Sequence, residues 1–304
     1  MVEQSMISIA QAQSERAEGA PRAGTPARGQ SIRRKATDFG WWATSLLFFV
    51  GLWELAWAIG WAPELTLPPP HIFLNDFLGQ AKFFETRGSG GDTTTGMLAV
   101  LSAVGATLGR VVAGLAVGFT ASLVIGVLVT QFAFARRLLL PMVTLLAPIS
   151  PIAWLPISIF LFGVGNGPAV FMVFVGVFFM MTLSTIADIN GVSATYHNVA
   201  RTLGATKAQV LFQVTLPAIF PAMLRTLRLN LFAAWMIVLV AEAVGVGQGL
   251  GQIVMLARNT FDSSLVFFTM TIIGIAGYLL DILFRSVQRR LLWWDTISDK
   301  AATK

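Results

Sequence analysis

Apolar stretches close to twenty residues long recur along this chain, at residues 41–61, 108–130, 138–161, 168–188, 224–245 and 265–285. Each is long enough for a helix to cross the roughly 30 Å of a bilayer's hydrocarbon core, whereas barrel strands would be shorter and alternating. A helix satisfies its own backbone donors and acceptors, which lipid cannot do for it. The expected fold is therefore an all-α integral membrane protein with six transmembrane helices. Composition agrees: 55% of residues are hydrophobic, only 12% are charged and the mean hydropathy is +0.72, against about one quarter charged in ordinary soluble domains.

The remaining segments read as tails and loops. Residues 1–40 are rich in Gln, Ser, Ala, Gly, Pro and Arg; such a stretch buries too little apolar area to offset ordering entropy and is expected to be a disordered cytoplasmic tail. Arg33, Arg34 and Lys35 precede an apolar run too long for a signal peptide and lacking a small-residue cleavage site, so 41–61 reads as a retained first span. Residues 62–104 form an extracytoplasmic segment, 105–288 a transmembrane domain interrupted by a polar loop at 189–220, and 289–304 a second cytoplasmic tail.

Orientation follows from the basic residues, which stay on the cytoplasmic side during insertion. With the amino terminus inside, the inner segments collect the tail basics together with Arg136, Arg137, Arg201, Lys207, Arg225, Arg228, Arg285, Arg289, Arg290, Lys300 and Lys304. The outer segments hold Lys82, Arg87, Arg110 and Arg258. Both termini are thus expected to be cytoplasmic. The net charge of +6 reflects this topology, and no aromatic-interleaved basic face points to nucleic acid.

Cysteine is absent and histidine occurs at His71 and His197 alone, which removes disulfides, thiol chemistry and Cys/His metal sites. No GxxxxGK[ST] phosphate loop is present, so a nucleotide driving this chain has to be bound by another polypeptide.

The polar loop is the most informative segment. Asn198 can cap a helix through Val199, Ala200, Arg201, Thr202 and Leu203; Gly204 can supply a left-handed residue; and Thr206 can open a second helix running to Thr215. Pro217 and Pro221 mark the chain's return into the membrane. A short stiff helix on the membrane surface suits transmission of force from a soluble partner. It also suits an interfacial helix whose Arg201 and Lys207 contact anionic lipid headgroups.

Spacing in this loop resembles the cytoplasmic loop of binding-protein-dependent ABC importer permeases, which carry EAA, three residues, Gly, nine residues and Ile-x-Leu-Pro. Here Asn198-Val199-Ala200 occupy the EAA positions, Gly204 and Ala205 follow, and nine residues after Gly204 come Val214-Thr215-Leu216-Pro217. Asn198 replaces the usual Glu. Further phrases are similar to the nitrate, sulfonate, taurine and bicarbonate branch: LPPPHIF from Leu67, LGRVVAG from Leu108, LAPISPIAWLPISIFLFGVGNGPAVF from Leu146 and LRLNLFAAWMIVLVAEAVGVGQGLG from Leu227. The resemblance implies a type I importer permease, a multi-pass protein of the bacterial inner membrane. It implies a second permease copy, an extracytoplasmic substrate-binding protein, and ATPase subunits that hold ATP and Mg and dock on Asn198, Val199, Ala200, Arg201, Gly204, Ala205, Val214, Leu216 and Pro217. No cofactor is implied on this chain, and the cargo is expected to be a small anionic solute.

Within the third stretch, Pro141, Pro148, Pro151 and Pro156 each remove a backbone donor, an expense in lipid unless protein or a water-filled cavity satisfies the freed carbonyls. That stretch is expected to face the bundle interior. Pro151, Trp154 and Pro156 are candidates for a kinked element beside the translocation path, or for plain packing. In the second stretch Gly105, Gly109, Gly114 and Gly118 form two GxxxG pairs for close helix approach.

Ionisable groups within the spans are few: Glu54, Glu242 and Asp281, and such groups face protein or water. Glu242 precedes Gly245-Val246-Gly247-Gln248-Gly249-Leu250-Gly251 and can serve in an outer gate, or anchor its helix to Arg258 or Arg110. Repulsion of anionic cargo favours the anchor. The glycine loop is no dinucleotide fingerprint, since it leaves a membrane helix instead of a buried strand; flexibility near a docking surface is its safer meaning. Trp41, Trp42, Trp61, Trp293 and Trp294 lie near span ends as interfacial anchors. A secondary transporter working without an ATPase is the alternative, but paired halves and chains of intramembrane carboxylates are not apparent. A membrane-embedded enzyme would need converging nucleophile, base or metal ligands, and two separated histidines offer little.

Overall fold

Helix formation follows the apolar stretches closely, with two informative exceptions. The computed structural model describes residues 28–60, 67–84, 96–245 and 247–292. Two compact units divide the chain, residues 1–61 and 62–304.

In the first unit, α1 runs over Arg28–Ala58. It begins thirteen residues before the expected span start at Trp41, inside the segment read as a disordered tail; the rest of that tail lies outside the described residues. Helix formation ends at Ala58, where the chain turns and Gly60 takes the backbone to φ +70°. The apolar part, Ala43–Ala58, falls below the length of the other crossing helices.

The second unit begins with short helices α2 (Pro70–Asn75) and α3 (Phe77–Ala81) and a 3₁₀ turn at Lys82–Phe84. There follow α4 (Met97–Gln131), α5 (Ala133–Leu146), a 3₁₀ turn (Pro151–Trp154), α6 (Leu155–Phe162), α7 (Asn166–Gly191) and α8 (Ala194–Thr202). Next, α9 (Lys207–Gln209) continues through a π-helical turn (Val210–Thr215) into α10 (Leu216–Gly245), before α11 (Leu250–Asn259) and α12 (Ser263–Leu291). Among the described residues, four helical runs are long and apolar enough to cross a membrane: Met97–Gln131, Asn166–Gly191, Lys207–Gly245 and Ser263–Leu291.

The third expected span is two helices. Ala133–Leu146 and Pro151–Phe162 meet at 103°, because Pro148 and Pro151 remove ladder donors in close succession and Ser150, the residue before Pro151, is driven out of the α region to ψ 134°. Counting the bent pair as one crossing gives five, so the expected six is not reached among the described residues. Nor does this pair bury itself within its own chain: Val143 is the buried residue of α5 and Ser158 that of α6.

The core lies where α4 and α10 pack on α7. Met172, Val173, Val177, Met181, Ala234, Val238 and Ala241 are fully enclosed there. Glycine permits the approach of α4: a Cβ on Gly114 would collide with the Val173 side chain, one on Gly126 would lie 2.6 Å from the Thr185 methyl, and Gly118 is in ordinary contact with Val177. The second GxxxG pair therefore meets a neighbour in the same chain, while Gly105 and Gly109 face open space. Several buried hydroxyls are satisfied within their own helices, as with Thr182 to the Phe178 carbonyl (2.7 Å), Thr185 to Met181 (2.8 Å) and Thr269 to Leu265 (2.7 Å), which is how polar side chains persist at no unpaired cost in an apolar bundle. Outside, Val112, Val117, Val124, Leu229 and Met236 remain more than half exposed, as a surface meant for lipid or another subunit must be.

Candidate functional site

The polar turn between α7 and α10 is stiffened at every junction. Ser193 opens α8 by accepting the Thr195 N–H at 3.3 Å. Asn198, expected to be the cap, instead sits in mid-helix, because Ser193 offers a capping oxygen five residues earlier. At the far end the Gly204 N–H donates to the Arg201 carbonyl (2.9 Å) and the Ala205 N–H to that of Ala200 (3.0 Å), with Gly204 at φ +83°. This is a Schellman closure, and glycine suits its left-handed position. Two residues later Thr206 and Gln209 form a reciprocal capping box, Thr206 N–H to Gln209 Oε1 at 2.8 Å and Gln209 N–H to Thr206 Oγ1 at 3.3 Å.

The chain then returns into the bundle without a break. Pro217, expected to punctuate this return, does not interrupt it: a π-turn widens the helix at Val210–Thr215 and the Thr215 hydroxyl donates to the Val210 carbonyl at 3.2 Å. Pro221 is carried inside α10. His197 Nε2 lies 3.1 Å from the same Thr215 oxygen and so ties α8 to the π-turn. That link spans eighteen residues and two elements, so no local sequence pattern announces it.

What this frame displays is apolar. Tyr196 and Val199 on α8 and Leu203 at its C-cap follow one another at i, i+3 and i+7 and are 62%, 55% and 82% exposed; Phe212 on the π-turn is exposed as well. Residues at that spacing share one helix face. Of the expected docking residues, Asn198, Val199, Arg201, Gly204 and Pro217 are exposed, and Ala200, Ala205, Val214 and Leu216 are half-buried. Beside them opens a cleft of about 440 Å³ lined by Asp188, Ser193, Tyr196 and Ile219, into which the Asp188 Oδ2 brings no hydrogen-bond partner.

A second polar cluster lies at the other end of α10. Arg110 of α4 donates from Nη1 to Glu242 Oε1 at 2.5 Å and to the Gln248 carbonyl at 3.1 Å, and from Nε to Asn166 Oδ1 at 2.8 Å. The Thr107 hydroxyl and the Gly251 N–H both donate to Glu242 Oε2, each at 3.0 Å. Glu242 is entirely enclosed and Arg110 is 5% exposed. The pairing with Arg110 selects one of the two anchors open in the sequence. Glycines make room for it: a Cβ on Gly249 would strike the Glu242 carboxylate, and one on Gly251 the Leu239 carbonyl. Gly249 and Gly251 are thus demanded by close packing around a buried charge, whereas Gly247 has open space around it and a left-handed backbone at φ +74°. Thr107 and Asn166 gave no signal in the sequence, being unremarkable polar residues until the fold sets them against the pair.

Pro151, Trp154 and Pro156 lie at the helix break. Pro151 packs towards Gly176, and Trp154 faces the rings of Phe171 (6.5 Å) and Phe179 (6.3 Å). The Glu242 carboxylate is engaged by Arg110, Thr107 and Gly251. Among the described residues no group of acidic residues, histidine or cysteine could hold a metal ion.

Long apolar helices around a buried ion pair, a broken helix and a stiff polar turn displaying an apolar stripe define a membrane-transport permease. The fold is similar to that of an inward-facing structure of the MetNI methionine ABC transporter, with a TM-score of 0.56 and 20% identity, covering 64% of this chain and 96% of that one. The chain belongs to the family described as "Binding-protein-dependent transport system inner membrane component", whose model matches residues 114–292. It is 33% identical over 186 residues to a putative ABC transporter permease of Methanocaldococcus jannaschii, covering 61% of this chain and 70% of the relative. It is 28% identical over 260 residues to the taurine transport system permease TauC of Escherichia coli, covering 84% and 85%. It is 27% identical over 267 residues to the nitrate import permease NrtB of Leptolyngbya laminosa, covering 87% and 90%.

Proposed function

We propose that this chain is the pathway-forming subunit of an ATP-driven importer for a small anionic solute of the taurine, sulfonate, nitrate or bicarbonate kind. Two copies line one path across the bacterial inner membrane, with both termini cytoplasmic as the distribution of basic residues favours. A soluble binding protein delivers the solute outside, and two ATPase subunits, carrying ATP and Mg, sit beneath the turn at 189–220. Pro151, Trp154 and Pro156 are the candidates to border the path, since a broken helix leaves backbone carbonyls for a water-filled passage.

One observation carries this reading: the stripe Tyr196, Val199 and Leu203 is apolar, exposed and held by caps at both ends. Exposed apolar faces rimmed by polar groups mark partner sites. A helix meant only to lie on lipid needs no rigid closure at Gly204, whereas a lever does. ATP-driven approach of the ATPases moves the two turns, and the unbroken helical run Lys207–Gly245 carries that movement into the bundle.

The test is co-purification from detergent with the transporter's ATPase subunit. Retention by the intact chain and loss on deleting residues 200–211 is the expected pattern. Solute uptake by the purified chain alone, driven by a proton gradient, would overturn the reading in favour of a secondary transporter.

A further inference from the structure

Phe261 is the described non-glycine residue whose backbone is left-handed, at φ +55°. Its ring is 90% exposed. Both facts come from one turn. At the end of α11 the Phe261 N–H donates to the Arg258 carbonyl (3.3 Å) and the Asp262 N–H to that of Ala257 (3.0 Å), a Schellman closure with phenylalanine in the position that glycine or asparagine fills with least strain.

The turn is rigid on either side. Thr260 Oγ1 donates to the Leu256 carbonyl at 3.1 Å, and Asp262 caps α12 by accepting the Leu265 N–H at 3.0 Å. A strained backbone persists only where its surroundings over-determine it, and such positions cluster at functional sites. Here the surroundings fix an aromatic ring pointing away from the protein.

The turn's place in the chain says which face it occupies. The polar turn leads into the start of α10, and α11 with this turn follows the other end of α10, so a helix of about 45 Å separates the two regions. If the former meets ATPases, the latter lies outside the cell. Its neighbours choose the occupant. Arg258, Asn259 and Thr260 are exposed around the ring, and one aromatic within a polar rim is the composition of a protein-docking hot spot; insertion into lipid would bring the Asp262 carboxylate towards hydrocarbon.

We propose that the turn between α11 and α12 is a docking knob for the soluble substrate-binding protein, with Phe261 as its central apolar contact. The inference rests on the permease reading above. It also gives the Arg110–Glu242 cluster a mechanical role. The first turn of α11 is bonded through Gly251 to Glu242 of α10, so a load on the knob reaches α4 and α10 without passing through a flexible joint.

The experiment uses the full transporter in nanodiscs and its purified, substrate-loaded binding protein, with affinity as the readout. Phe261→Gly removes the ring and accepts the left-handed backbone, so its thermal midpoint is at or above that of the parent. Its affinity for the binding protein is expected to fall at least about tenfold, while Phe261→Trp retains it. Equal affinity of Phe261→Gly and the parent sinks the docking knob. So does a loss of permease pairing in Phe261→Gly with unchanged affinity, which assigns the ring to a second copy. A parent complex lacking any ATPase subunit overturns the permease reading and this inference together.

Discussion

Arg110 and Glu242 stand 132 residues apart and meet at 2.5 Å with both side chains removed from solvent. The pair closes a cluster that joins α4, α7, α10 and the start of α11. Breaking one partner of a buried pair strands the other charge, at a cost on the order of 3–5 kcal/mol. Arg110→Met is therefore expected to lower the thermal midpoint of the solubilised complex sharply. Glu242→Gln, which keeps a carbonyl oxygen for Thr107 and Gly251, should lower it less. The double variant Arg110→Met, Glu242→Leu should recover part of the loss. A swapped substrate preference in Glu242→Gln, with unchanged stability, would show that the carboxylate selects cargo instead of anchoring a helix.

Gly114 and Gly109 separate packing from mere flexibility in α4. Gly114→Val places methyl groups against Val173 and is expected to cost roughly 1–3 kcal/mol through overpacking. Gly109→Ala meets nothing within 4 Å and should be neutral or slightly stabilising through helix propensity. Thermal unfolding of the two variants side by side checks this; equal effects would contradict the placement of α7 against the second glycine pair.

Gly204 has φ +83° and open space where a Cβ would stand. Substitution strains the backbone by about 1–2 kcal/mol without a collision. Gly204→Asp should thus insert and fold, but the new carboxylate follows directly on the apolar stripe at Leu203 and should abolish transport-coupled ATP hydrolysis. Normal substrate-stimulated hydrolysis by the mutant in proteoliposomes would remove the turn from the coupling path.

Much of this architecture is legible in the sequence alone. Hydropathy locates α4, α7, α10 and α12 because a lipid-crossing helix has to be apolar over its whole length. The glycine and capping residues of the turn at 198–217 announce two helices with a left-handed joint, and both exist. Proline marks the third span as abnormal without revealing its 103° bend, since a missing donor says where a helix weakens and not which way it turns. Asn198 looks like a cap because capping chemistry is short-range and Ser193, five residues earlier, competes for the same role. The glycine loop looks flexible because a sequence cannot show the carboxylate that Gly249 and Gly251 are small enough to enclose. His197 with Thr215, and Asn166 with Arg110, depend on tertiary placement and carry no periodic signal.

Leu203 is the most exposed member of the stripe on α8, at 82%, so its replacement tests the partner surface with little effect on the chain's own packing. Leu203→Glu is expected to leave the stability of the isolated permease within about 0.5 kcal/mol of the parent, as for other surface changes.

The central claim is that this stripe is where a separate ATPase engages the permease, and stoichiometric recovery of that ATPase with detergent-extracted Leu203→Glu tests it most directly. The account predicts a parent complex that keeps its ATPase subunits and a folded, membrane-inserted variant that loses them. Equal recovery from both proteins would contradict it.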